Sequence, residues 1–230
     1  MLHYETVSPN LLAVLKALMN DNVLNAFRLV GGTALSLQLG HRISVDIDLF
    51  TDKFFQTTDL ELFIKEKYPN SILQSRTSNG LCFEIDSIKV DCYNWNVPFI
   101  ENVIELDNIR LASLADICAF KLDAITSRKE IKDYWDIATL LSKHTFSEME
   151  VFYKKKYPYN NFKMVLEAMS EYDKVTYLPL KSLNTSLWND CKSLLDKTVQ
   201  EYFEEQKRIK IQAIQSKEDT IRRLIEKKKK

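Results

Sequence analysis

The apolar pattern of the chain changes at about residue 113, and this change constrains the fold more than any other feature. From residue 113 onward, every apolar run has the 3.6-residue period of a helix. Before it, short runs alternate at the period of strands between short helical segments: "AFRLVG", "SVDIDLF", "SILQSRTS", "LCFEIDS" and "IKVDCYN". Strands followed by helices alone predict an α+β fold. We expect a mixed sheet with flanking helices in residues 1–112 and a helical bundle in residues 113–230, with a soft boundary between 112 and 145.

Local signals set the ends of several elements. Ser8 followed by Pro9 predicts a capped helix start, and Gly40 predicts the end of the helix "TALSLQLG". Thr58 and Glu61 have the spacing of a capping box. The pair Asn79-Gly80 predicts a hairpin between two strands.

Composition excludes several classes of protein. Lys plus Arg and Asp plus Glu each total 32, so the chain is not a generally basic nucleic-acid binder. The four cysteines form no CxxC pair, which excludes the common zinc motifs and favours packing roles for free thiols. Neither a signal peptide nor a membrane-spanning apolar run is present, so we expect a cytoplasmic protein without membrane contact.

Three aspartates are candidate metal ligands. Asp46 and Asp48 lie two residues apart in "SVDIDLF", so on a strand their side chains share one face, about 7 Å apart. Asp91 lies in "IKVDCYN", and it joins them if the two strands are neighbours. Carboxylate oxygens suit Mg²⁺ together with substrate phosphates. The alternative is a solvated strand face with no ligand.

The stretch between the first strand and these acids offers groups for a phosphate. Gly31 and Gly32 precede a helix, so free backbone N–H groups and a helix N-terminus would face an anion. Thr33 adds a hydroxyl, which alternatively serves as a cap. Arg42 either reaches a phosphate or balances the aspartates.

A second charged group lies in the helical half. Lys121 is either a surface lysine or a partly shielded one, since its neighbours are apolar. Asp133 and Asp136 are three residues apart and share a helix face. With Arg128 before them, the pattern favours an ion-pair network that ties two helices together.

The stretch "VGGTALSLQLGHRISVDIDLF" resembles the first motif of the AbiEii/AbiGii toxin family, within the DNA polymerase β-like nucleotidyltransferase superfamily. "KLDAITSRKEIKDYWDIATLL" is similar to the family's downstream lysine and the helix that follows it. The resemblance covers roughly residues 27–142. It implies a nucleotidyltransferase-type sheet in the first half of the chain.

The resemblance also implies roles for the candidate residues. Gly31, Gly32 and Thr33, with Lys121, would contact the nucleotide phosphates. Asp46 and Asp48 would bind Mg²⁺, or Mn²⁺ in its place, and Asp91 would complete the metal site or act as general base. Asp133 or Asp136 would support the site or position the lysine, and the spacing does not choose between them. Many superfamily members have serine where this chain has Gly32, which leaves a backbone contact there.

The implied activity is Mg²⁺-dependent transfer of a nucleotide from an NTP to an acceptor hydroxyl, on an RNA such as tRNA or on a protein. Such a protein would be the toxin of a toxin–antitoxin or phage-exclusion module, with an antitoxin protein as partner. The basic segment 208–230 and "YKKKY" at 153–157 either guide RNA phosphates or are solvated helix faces. The alternatives are a family member that binds nucleotide or RNA without transfer, an enzyme that hydrolyses or cyclises nucleotides, and a helical interaction module.

Overall fold

The computed structural model describes residues 1–172, 175–176 and 185–228. In these residues, seven strands form one mixed sheet in the order β3-β4-β5-β2-β1-β7-β6. The strands are β1 (Arg28–Leu29), β2 (Ile47–Thr51), β3 (Ile72–Thr77), β4 (Gly80–Ile85), β5 (Ile88–Asn94), β6 (Ile104–Leu106) and β7 (Ile109–Leu111). The α-helices are α1 (Pro9–Met19), α2 (Gly31–Leu39), α3 (Thr57–Lys67), α4 (Leu114–Ser127), α5 (Ile131–Leu140), α6 (Phe146–Lys156), α7 (Lys163–Ser170) and α8 (Thr185–Lys228). A mixed sheet with flanking helices and a helical second half is therefore confirmed.

The centre of the sheet sets the positions of the acids. Strand β2 pairs antiparallel with β1 and parallel with β5, and Asp48 lies directly opposite Asp91 in the parallel register. Short side-chain caps fix the helices around it. Ser8 accepts a hydrogen bond from Leu11 N at the start of α1, and Ser113 accepts one from Asp116 N at the start of α4. The predicted cap at Ser8-Pro9 is confirmed.

Four expectations about local structure are corrected. Helix α3 begins at Thr57 with Gln56 at its N-cap and without a side-chain cap, so Thr58 lies inside the helix, and Glu61 forms ion pairs with Lys65 and Arg76 instead. Strand β2 begins only at Ile47, and Val45 is 65% exposed instead of facing the core. The predicted hairpin exists, but Thr77 pairs with Gly80, so its turn residues are Ser78 and Asn79.

The fourth correction is the hairpin β6–β7, which the sequence did not reveal. Each strand has only three residues, too few for a clear alternation. The turn residues Asp107 and Asn108 both have positive φ, near +52° and +61°, which suits a tight two-residue hairpin. Strand β7 pairs parallel with β1 and extends the sheet on that side.

The buried apolar residues of the sheet and of the helices form one continuous cluster. Helix α4 packs against α2, α5, α6 and α7, and α8 packs against α5, α6 and α7. The division at residue 112 stays a prediction. The four cysteines are free and buried, as expected. Within the part of the chain described above, no helix combines the length and apolar character needed to cross a membrane.

Candidate active site

A cleft of about 200 Å³ opens between β2 and α4. Its lining comes from both halves of the chain, because it includes residues of β2 and of α4, which packs against α2. The cleft brings together candidates that are distant in sequence, Gly31, Asp48 and Lys121. Its lining residues are Val30, Gly31, Asp48, Phe50, Trp95, Phe120, Lys121, Asp123, Ala124, Ser127 and Arg128.

Asp48 carries a negative charge that its surroundings do not fully compensate. Burial, first, and the charges of Asp91 and Asp46 together raise the pKa of its carboxyl to about 6, against the opposing effect of Lys121. No hydrogen bond or ion pair to the Asp48 carboxylate occurs among the residues described. A carboxylate in this position favours a proton or a bound cation.

The other two acids lie beside Asp48 in different ways. Asp91 faces it across the β2–β5 register and contacts Lys89 Nζ at 2.5 Å. Asp46 precedes β2, and its backbone carbonyl accepts a hydrogen bond from Thr33 Oγ1. As placed, no group of three or more His, Cys, Asp or Glu side chains in the described residues is close enough to hold a metal ion. The donor type and the raised pKa of Asp48 nonetheless fit a divalent cation.

The two glycines make room for charged side chains. Gly31 begins α2 with φ +69°, and a Cβ there would lie 2.2 Å from Asp48 Oδ2. A Cβ on Gly32 would lie 2.2 Å from Arg42 Nη2. Glycine is therefore required for the close approach of Asp48 and Arg42 to the start of α2. Gly31 lines the cleft, whereas Gly32 does not.

Thr33 and Arg42 are buried behind the cleft wall. The Thr33 hydroxyl lies 2.8 Å from Ser44 Oγ and donates to the Asp46 carbonyl. Arg42 donates from Nε and Nη2 to Asp136 at 2.6 and 2.8 Å. Neither side chain lines the cleft, and both support the residues around it; their contact with phosphate stays a prediction.

A buried ion-pair network joins α4 and α5. Lys121 Nζ lies 2.7 Å from Asp133 Oδ1 and 2.6 Å from Asp136 Oδ2. Arg128 contacts Asp133 at 3.0 Å, and His41 Nε2 contacts Asp136 Oδ1 at 2.7 Å. The surface interpretation of Lys121 is wrong, and the ion-pair tie between two helices is present. Both aspartates contact the lysine, so neither alone supports it.

The charges of this network hold one another ionised. Burial alone would raise the pKa of Asp136, but Lys121 and Arg42 hold it well below its usual value. Burial alone would lower the pKa of Lys121, but Asp136 and Asp133 raise it. The network therefore presents a permanently charged lysine to the cleft beside Asp48.

The aromatic side of the cleft was not predicted from the sequence. Phe50 and Trp95 stack with ring centroids 5.1 Å apart and planes 8° apart, and Phe120 meets both edge-on. On α4, Phe120, Ala124 and Ser127 recur at the spacing of one helix face, which is a usable signal. Trp95 lies in a loop after β5 and gave no such signal.

The structure argues against contact with RNA for part of the basic segment "YKKKY". Lys156 is buried in an ion pair with Asp116 at 2.9 Å. Tyr153 and Tyr157 are buried as well, and Lys154 pairs with Glu150 at 2.6 Å. Lys156 is therefore unavailable to RNA.

The sequence matches a known protein family. The profile of the nucleotidyl transferase AbiEii toxin of type IV toxin–antitoxin systems matches residues 13–99 and 95–217. An uncharacterized protein of Aquifex aeolicus (strain VF5) is 28% identical over 196 residues, which cover 83% of this chain and 94% of that protein.

Two solved structures share the fold. JHP933 from Helicobacter pylori superposes with a TM-score of 0.51 at 18% identity, over 93% of this chain and 96% of that chain. The nucleotidyltransferase toxin MenT4 from Mycobacterium tuberculosis H37Rv superposes with a TM-score of 0.52 at 14% identity, over 76% of each chain. With the family profile covering most of the sequence, the chain belongs to the AbiEii nucleotidyl transferase toxin family and is a nucleotidyltransferase.

Proposed function

We propose that this nucleotidyltransferase uses Mg²⁺ to transfer a nucleotide from an NTP to an acceptor hydroxyl, on a tRNA or other RNA or on a protein, and that it acts as a toxin countered by an antitoxin protein. One observation carries the proposal. The Asp48 carboxylate, which has no partner among the described residues, lies in a cleft, opposite Asp91, against Gly31 and beside a buried lysine.

The acids supply the ligands that such a reaction needs. Asp46, Asp48 and Asp91 would hold Mg²⁺, and the same oxygen ligands accept Mn²⁺. A divalent cation bound there would stabilise the charge that develops on the attacking and leaving oxygens during nucleotidyl transfer. Asp91, which lies opposite Asp48 in the sheet, would complete the metal site or act as general base.

Lys121 has the geometry of a phosphate ligand that is held in place. An ammonium group has three N–H donors; Asp133 accepts a hydrogen bond from one, and Asp136 Oδ2 lies 2.6 Å from the same nitrogen in an ion pair. The third donor remains for a phosphate oxygen of a nucleotide in the cleft, which Lys121 lines. Gly31 leaves the adjacent backbone bare at the N-terminus of α2, where a phosphate is also favoured.

The test is incubation of the protein with Mg²⁺, each α-³²P-labelled NTP and total tRNA. We expect label in RNA with the unmodified chain, reduced about 10²-fold or more in Asp46→Ala and Asp48→Asn. Glu66→Gln, which changes an exposed acid on α3, is the matched control and should keep full activity. The same reactions with the protein alone test a protein acceptor.

The outcomes separate the alternatives. Label on the protein itself identifies a protein acceptor. Cleaved or cyclised nucleotide without label transfer identifies the other enzyme class. Nucleotide binding with no product in any reaction contradicts transfer and leaves a binding protein.

A further inference from the structure

We propose that the aromatic end of the cleft binds a nucleobase, and that Asp123 selects a base with an exocyclic amino group over uracil. This inference rests on the proposed function, because it names the substrate chemistry of the same cleft. Its two parts are a stacking surface and one hydrogen-bond acceptor.

The stacking surface is formed by Phe50, Trp95 and Phe120. The rings of Phe50 and Trp95 are nearly parallel, 8° apart, and Phe120 is perpendicular to both at 5.5 and 5.6 Å. Phe50 and Trp95 are only partly buried, although they border the core. Flat aromatic faces left open in a cleft suit a base, since every base has a π-face to stack.

The loop that carries Trp95 is held in one position. Trp95 Nε1 donates to the Tyr157 hydroxyl at 3.0 Å, and its backbone N–H donates to the Thr51 carbonyl at 3.0 Å. Farther along the loop, Ile100 N donates to the buried Asp116 carboxylate at 2.8 Å. A ring fixed in this way costs little ordering entropy when a ligand stacks on it.

Asp123 offers an acceptor to the same space. Its Oδ1 accepts from the Tyr153 hydroxyl at 3.3 Å and from Asn160 Nδ2 at 3.2 Å. Its Oδ2 has no hydrogen-bond or ion-pair partner among the residues that the structure describes. Asp123 lines the cleft one turn along α4 from Phe120. One oxygen therefore orients the carboxylate and leaves the other for a ligand.

A carboxylate can only accept hydrogen bonds in its ionised form, and this decides which base fits. The amino groups of cytosine, adenine and guanine donate to such an oxygen. Uracil has a carbonyl oxygen in place of the cytosine amino group, and its one Watson–Crick donor, N3–H, lies between two carbonyl oxygens that repel the carboxylate. A matched hydrogen bond to a base discriminates by about 1–3 kcal/mol, which corresponds to roughly 5- to 150-fold.

The base has two possible sources, the NTP or the terminal nucleotide of an RNA acceptor. The test therefore has two arms, with the full chain in both. Calorimetry and tryptophan fluorescence measure binding of ATP, CTP, GTP and UTP in one arm, and of short RNAs that end in each of the four bases in the other. Trp135 and Trp188 provide a constant background to quenching at Trp95.

The variants are Asp123→Asn, Trp95→Leu and the control Asp190→Asn, which changes an exposed acid on α8. The unmodified chain should prefer an amino-bearing base over uracil about tenfold in one arm, and Asp123→Asn should reduce that ratio at least fivefold. Trp95→Leu should weaken binding of all four bases in that arm and abolish quenching. The control should change nothing, and thermal melts should show that all variants fold.

The arm that shows the preference identifies the source. An unchanged ratio in Asp123→Asn, or quenching that survives Trp95→Leu, overturns the inference. Selective binding without nucleotide transfer would leave the base pocket standing and contradict the proposed function. Nucleotide transfer whose base preference does not depend on Asp123 would support the proposed function and contradict the role of Asp123.

Discussion

At the scale of single residues, the site is organised around one carboxylate in an unfavourable place. Asp48 is enclosed by α2 and the sheet, and Asp91 and Asp46 add charge of the same sign. The pKa of its carboxyl near 6 means that, without a metal, burial and like charges destabilise the ionised carboxylate at neutral pH. Binding of a cation would compensate this charge.

The first prediction is a stability effect with a defined pH window. An aspartate in the unfolded chain has a pKa near 3.9, against about 6 for Asp48 in the folded protein. The folded state thus keeps the proton to higher pH, and the free energy of unfolding falls as pH rises from about 4 to 6. Above pH 6, Asp48→Asn should be more stable than the unmodified chain by on the order of 1–3 kcal/mol.

Urea denaturation in EDTA between pH 4 and 8 measures this difference, which should vanish near pH 4. Added Mg²⁺ should stabilise the unmodified chain and not Asp48→Asn. Equal stabilities at pH 7.5 without metal would show that Asp48 is not under strain.

The second prediction separates two reasons for a glycine at position 31, its positive φ and the space that Asp48 needs. Gly31 and Gly40 both have φ +69°, so alanine at either position costs about 1 kcal/mol in backbone strain. Only at Gly31 does the new methyl group meet Asp48, whereas at Gly40 it meets the ring of His3, near the surface. We expect both variants to be destabilised, but nucleotidyl transfer to be lost only in Gly31→Ala. Similar activity in the two variants would contradict the packing of Asp48 against α2.

At the scale of elements, the α4–α5 pair and the loop before β2 are joined by charge. Asp136 forms ion pairs with Arg42, His41 and Lys121. Asp133 forms ion pairs with Lys121 and Arg128. Since Lys121 also lines the cleft, the position of its ammonium group depends on both helices. The ion-pair network therefore both stabilises the fold and positions Lys121 in the cleft.

The third prediction follows from removing one charge of this network. Asp136→Asn leaves Arg42 and Lys121 buried with one anion fewer, which should cost about 3–5 kcal/mol. Glu167→Gln, which breaks the exposed pair with Lys163, should cost no more than about 1 kcal/mol. Urea denaturation of the two variants gives the comparison. Equal costs would mean that the α4–α5 network contributes no more than a surface ion pair.

The same elements show how far sequence reasoning reaches. Helices α1 and α4 were predictable because a polar cap precedes a long apolar period, whereas the place of Asp91 depended on two strands being neighbours, which the sequence left open. Strands β6 and β7 were too short to show a period. The partners of Arg42 and Lys121, and the Trp95 wall, depend on which surfaces meet in three dimensions. No spacing along the chain encodes that.

At the scale of the whole molecule, α8 divides into a packed part and an exposed part. Its buried residues, from Trp188 to Tyr202, contact α5, α6 and α7. The described side chains from Lys207 to Glu218 are all exposed. The division at residue 112 remains a prediction, and α4 belongs to the cleft as much as to the second half.

The fourth prediction is that the exposed part adds little stability. A chain that ends at Gln206 should melt within about 2 °C of the full chain. Trp188→Ala should cost about 3 kcal/mol, because Trp188 packs edge-on against Tyr134 and Tyr172. Differential scanning calorimetry gives both values. A large loss on truncation would mean that the segment after Gln206 packs against the rest of the protein.

The truncated chain also tests whether the basic segment guides RNA, through the salt dependence of RNA binding.

The length of α8 affects how the protein diffuses. The part of α8 after Gln206 spans about 33 Å, while a compact chain of 230 residues has a radius of gyration near 17 Å. A rod attached to a globule raises hydrodynamic friction without adding mass. A single copy should therefore leave a sizing column early and imitate a dimer, and light scattering rather than elution volume should be used to count its subunits.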